Sequence, residues 1–135
     1  MRTKLLVALV LVLLVATNVA QAGNQLWTQC VPQANEVRCR YVEMVVSHEQ
    51  LHVGAVLNAP LFGNAKYRLK IESVQDMNGW KLYSGSVRNN PDSPNYFYIL
   101  DAGTSYFIHV ETSSGNYHVE MLESGLYKIV QEKQD

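Results

Sequence analysis

Residues 48–52 read His-Glu-Gln-Leu-His, the H-E-x-x-H pattern. On a helix this spacing sets two imidazoles one turn apart on a zinc ion, with Glu49 placed to activate a bound water. Glu72 lies 20 residues beyond His52 and Asp76 four beyond that, positions that could supply a third ligand and its hydrogen-bonding partner. A second group is His109, Glu111, His118 and Glu120. Two imidazoles and two carboxylates on one side of a hairpin could hold a divalent ion. The same residues also suit the solvated outer face of an antiparallel sheet. The third pair is Cys30 and Cys39, with eight residues between them. In an oxidising compartment an even pair reads as a disulfide. By the chain-entropy argument so short a loop adds roughly 2–3 kcal/mol.

The elements that must position these groups are strands. From 66 to 74 the chain alternates, with Tyr67, Leu69 and Ile71 on one face and Lys66, Arg68, Lys70 and Glu72 on the other. Asn78-Gly79 is a strong hairpin turn. A strand over 80–87 follows, then a loop over 89–94 and an apolar run over 96–100. Tyr106, Ile108 and Val110 share a face, as do Tyr117, Val119 and Met121, and a last strand covers 126–131. Short strands separated by Gly and Asn turns give an all-β antiparallel meander, closed as a curled sheet, a small barrel or a sandwich. The expected core is Leu69, Ile71, Trp80, Tyr106, Ile108, Val110, Tyr117, Val119 and Met121. This periodicity opposes the zinc motif, which needs helices under His48, His52 and Glu72. Residues 47–52 then read as a polar loop or a short helical turn.

The N-terminus has a different character. Arg2 and Lys4 precede an aliphatic run from Leu5 to Ala16, and Ala20-Gln21-Ala22 supplies small residues before Gly23. That order is a secretory signal peptide, 1–22, cleaved ahead of Gly23. The apolar run is about 12 residues, short of the roughly 20 that cross a bilayer. Residues 23–135 then form one β-rich domain, secreted or periplasmic, with no stable membrane span. It keeps nine Lys+Arg against twelve Asp+Glu, near −3. With no basic run, nucleic acid is not an expected partner.

From Arg40 to Gln131 the chain resembles the propeptide domain of reprolysin/adamalysin-type secreted metalloproteases. The carrying stretches are Arg40-Tyr41-Val42-Glu43, Leu57-Asn58-Ala59-Pro60-Leu61-Phe62-Gly63, Tyr67-Arg68-Leu69, and the hairpins ending in Gly115-Asn116-Tyr117-His118-Val119 and Gly125-Leu126-Tyr127. The resemblance implies a free-standing propeptide-like module without its protease. Such a module would be a secreted, non-enzymatic binding protein, an inhibitor or folding helper of a secreted metalloprotease, with no cofactor. An open sheet edge can pair with an extended partner segment, and Trp80, Tyr96, Phe97 and Tyr98 are candidate contacts. The alternative is a very small zinc metallopeptidase built on His48, Glu49, His52 and Glu72.

Overall fold

Alternation of large apolar and polar side chains forces each segment to present one side to a shared interior. The computed structural model describes residues 29–134, so the signal peptide expected over 1–22 lies outside the described residues. Eight strands follow in order: β1 (Glu36–Glu43), β2 (Val56–Phe62), β3 (Ala65–Met77), β4 (Trp80–Val87), β5 (Asn95–Asp101), β6 (Tyr106–Thr112), β7 (Gly115–Glu123) and β8 (Leu126–Glu132). They make one antiparallel sheet in the spatial order β1-β8-β7-β6-β5-β4-β3-β2. Strands β2 to β8 are thus a plain meander, and β1 joins the far side, antiparallel to β8.

The sheet curls into a half-barrel. Its two edges, β1 and β2, meet through side chains instead of a ladder. The Arg38 guanidinium lies 4.0 Å from the centre of the Phe62 ring, and Arg40 Nη1 donates to the Leu61 carbonyl at 3.4 Å. Pro60 fits β2 because an edge strand has a side on which no N–H is needed. Residues 44–55 cross between the edges and cover one end of the barrel. Met44 and Leu51 of this strap are buried, and Val46 and Ala55 pack against the core.

The inward side chains are the ones that alternation singles out. Leu69, Ile71, Ile108, Val110, Tyr117 and Val119 are all buried. Two expectations need correction. Trp80 is 49% exposed, not in the core, and Phe97 is 0% exposed, so it cannot be a partner contact. The two errors have separate causes. A bulge between Ile71 and Ser73 shifts the β3–β4 register. Beyond it every residue from 72 to 81 is exposed, so the hairpin tip with Trp80 projects past the barrel. Phe97 shares a face with Ile99 and lies opposite Val110, which points it inward. The predicted Asn78-Gly79 turn is present, with φ of 52° and 91°.

The bulge has a strict requirement at Gly85, which pairs with Ile71. A Cβ there would overlap the Lys70 carbonyl oxygen and crowd the Glu72 nitrogen at 3.0 Å. Backbone cannot yield as a flexible side chain does. Gly85→Ala is therefore expected to cost about 2–3 kcal/mol, read as a lower urea midpoint. An unchanged midpoint would show that the strands separate freely there.

Candidate functional site

The barrel interior is the first place to look for a site, and the described residues largely fill it. At one end Tyr67 donates to the Tyr117 hydroxyl at 3.3 Å, and the Thr112 hydroxyl donates to the Gly115 carbonyl at 2.9 Å. Arg38 enters at the same end, its Nε donating to Gln131 Oε1 at 2.6 Å. At the other end Asp101 is buried, its Oδ1 accepting from the Gly103 N–H at 2.8 Å and its Oδ2 lying 3.5 Å from His48 Nδ1. His48 Nε2 meets the Tyr106 hydroxyl at 2.6 Å. Burial, reinforced by the Asp101 charge, raises Tyr83 and Tyr106 and pushes Tyr127 up to about 12. Burial and the hydrogen bond from Tyr67 push Tyr117 up to about 12 as well. Between these polar ends the strap residues Met44, Val46 and Leu51 meet Leu69, Ile108 and Val119. The space left open to the centre of a water-sized sphere is ≈ 30 Å³. One water needs about 10–15 Å³ by that measure, so the slot has no room for an organic ligand.

The outer face of β5, β6 and β7 is different. Register places Tyr98, His109 and His118 in one row, and Leu100, Phe107 and Glu120 in the next. Tyr98 stacks on His109 at 5.2 Å between centres and 25°, and Phe107 stacks on His118 at 5.7 Å and 24°. Glu111 lies 3.0 Å from His109 Nε2 and accepts from the Tyr96 hydroxyl at 3.0 Å. The His109 hydrogen bond, above all, holds the Glu111 carboxyl below the usual carboxylate range. His118 lies 3.3 Å from Glu132 and 3.9 Å from Glu120. At the rim this face runs into a groove of ≈ 220 Å³ lined by Trp80, Leu100, Phe107, Glu120 and Met121, among others.

The zinc motif does not assemble. Residues His48–Gln50 form a single 3-10 turn, not an α-helix, so its spacing does not bring the two imidazoles together. His48 is engaged by Tyr106 and Asp101, whereas His52 Nδ1 lies 3.1 Å from the Val53 carbonyl. Glu72 is on β3 and accepts from the Ser86 hydroxyl at 2.9 Å, and Asp76 pairs across the ladder with Lys81. Among the described residues no three His, Cys, Asp or Glu side chains are grouped so as to hold a metal ion, the His109–His118 group included. Cys30 and Cys39 are joined, with 5.7 Å between Cα atoms. Of the candidate contacts, Tyr96 is 45% exposed, Tyr98 is half-buried in the stack and Trp80 lines the groove.

Residues 22–134 match the profile of the BamI lipocalin-like domain. The chain belongs to the BamI lipocalin-like domain family. No curated protein matches it. Among solved structures, a chain of a chaperone–substrate complex is similar in fold, with a TM-score of 0.61 and 18% identity over 75% of this chain and 93% of that chain. The family match corrects the resemblance to metalloprotease propeptides. The aromatic and glycine patterns that carried it are those of any curled antiparallel meander, in which turns need Gly and Asn and inward positions need aromatics. The expectation of a metalloprotease partner loses its basis with it.

Sequence reading missed Asp101, although it continues the inward alternation of Phe97 and Ile99. It also missed Arg38: β1 starts at Glu36, four residues before the stretch Arg40-Tyr41-Val42-Glu43.

The buried tyrosines of this BamI-family domain set its alkaline limit. Tyr127 is raised in the folded chain above its ordinary value of 10.0, to about 12. The neutral form is favoured by folding, so this contribution is intact below pH 10 and is lost as pH climbs towards 12. Unfolding free energy measured in urea should therefore fall over that window, and less steeply in Tyr127→Phe. Identical slopes in the two proteins would mean that Tyr127 ionises as freely as an exposed phenol.

Proposed function

We propose that this chain is an exported, non-enzymatic domain that binds another protein on the outer face of β5–β7. The observation that carries this reading is the contrast in space. The slot between the strap and the sheet leaves ≈ 30 Å³, whereas small-molecule pockets occupy roughly 300–1,000 Å³. Ligand-carrying barrels of eight strands keep a central cavity. Here the tyrosines, Arg38 and the strap fill that volume.

The outer face, by contrast, offers what protein partners use. Tyr96 and Trp80 are about half exposed, and both residue types are enriched among the anchors of interfaces. The stacked rings hold Tyr98 and Phe107 in fixed orientations, so little side-chain entropy remains to be lost on binding. The recurrence of this fold in a chaperone–substrate complex, an assembly of proteins, points the same way. A disulfide between Cys30 and Cys39 belongs to an oxidising compartment, secreted or periplasmic, as does the signal-peptide pattern ahead of Gly23.

A photoreactive side chain placed at Tyr96 in cells that export the protein should give a covalent adduct with a second protein. The same group at Arg68, on the outer side of β3, should give none. Adducts from Arg68 alone would move the interface to the other half of the sheet and contradict the reading.

A further inference from the structure

The rim groove and the stacked face beside it share Phe107 and Glu120. We propose that together they form one site for an extended segment of the partner that carries a bulky apolar side chain next to a lysine or arginine. This rests on the outer-face reading above and adds the chemistry of what is bound.

The apolar half of the specificity comes from the groove. Trp80 reaches it from the projecting hairpin, Leu100 and Phe107 lie side by side across β5 and β6, and Met121 closes the far wall. Its ≈ 220 Å³ is several times the space inside the barrel, and it is open to solvent. Filling it with one large side chain would remove apolar surface of both partners from water, which favours binding.

The basic half comes from charge. Glu111, Glu120 and Glu132 border the stacked rings, and Glu120 also lines the groove. Their side chains are 28%, 45% and 34% exposed, so each can still meet an incoming cation. One ammonium shares this face: Lys128 stands in register with Glu120 across β7 and β8, and its Nζ lies 3.8 Å from Glu36. The basic side chains Lys66, Arg68 and Lys70 sit on β3, three strands from β6 in the sheet and about 14 Å away. Four carboxylates, Glu36, Glu111, Glu120 and Glu132, thus share this face with Lys128, so the outer surface is acidic on balance beside the aromatic groove and basic on the opposite flank. An acidic segment would be repelled where a basic one is drawn in, and such complementarity sets register and partner choice more than raw affinity. A guanidinium can also bind a carboxylate through two parallel hydrogen bonds.

The test uses the isotope-labelled exported protein and three synthetic decapeptides in a Gly/Ser background. Each has one tryptophan, flanked by two lysines, two glutamines or two glutamates. The lysine peptide should shift the amide resonances of Trp80, Leu100, Phe107 and Glu120 and bind roughly tenfold more tightly than the glutamate peptide. In Glu120→Gln, whose urea midpoint serves as the folding control, that preference should drop to about twofold or less. Equal binding of all three peptides in the groove would overturn the charge selectivity and leave the outer-face reading in place. No shift at those four positions with any peptide would overturn the groove as a site, while adducts formed from Tyr96 would still report separately on the outer face.

Discussion

The volume of the inward side chains is the constraint on which the rest of this structure depends. Each strand turns alternate residues to one interior, and those residues are large: Tyr67, Tyr83, Phe97, Tyr106, Tyr117 and Tyr127 are all buried. They cannot shrink from the space, so the sheet curls only as far as they permit. The edges β1 and β2 therefore stop short of pairing and meet through Arg38 on Phe62 and Arg40 on the Leu61 carbonyl. The strap over 44–55 then fills the open end, seating Met44 and Leu51 where a ligand cavity would otherwise begin. Close packing of this kind makes the interior a source of stability instead of a container.

With the interior committed to packing, the proposed recognition falls to the outside of the sheet. Outward positions on β5 to β7 carry Tyr96, Tyr98, Phe107, His109 and His118, ordered by stacking and by hydrogen bonds to carboxylates. The bulge opposite Gly85 aims the β3–β4 hairpin so that Trp80 reaches the rim beside Leu100 and Phe107. One backbone irregularity thus couples the fold to the shape of the groove. It also explains why Trp80, apolar and in strand register, is exposed.

Much of this was legible before the structure. Period-two alternation and Gly/Asn turns are local signals, so β3 to β8 and their hairpins could be read directly from residues such as Tyr67-Leu69-Ile71 and Asn78-Gly79. Non-local facts were not. Strand β2, with Pro60 inside it, does not look like a strand until its place at the edge is known. Arg38 and Asp101 look like surface residues until Gln131, Phe62 and Gly103 are seen around them. The zinc motif shows the reverse failure. A five-residue string carries no information about whether a helix stands under it, and a 3-10 turn between two strands puts His48 to a structural use against Tyr106 and Asp101. The resemblance to protease propeptides failed for a related reason, since features common to curled meanders do not single out one family.

The central claim is that this lipocalin-like barrel is closed to ligands by its own side chains. Titration of the protein with a fluorescent long-chain fatty acid, followed in parallel by the methyl resonances of Ile99, Ile108 and Ile129, addresses it most directly. The account predicts no saturable uptake and no movement of those methyl signals. One-to-one binding that shifts all three, with Leu51 displaced, would show that the strap opens onto a cavity and would contradict it.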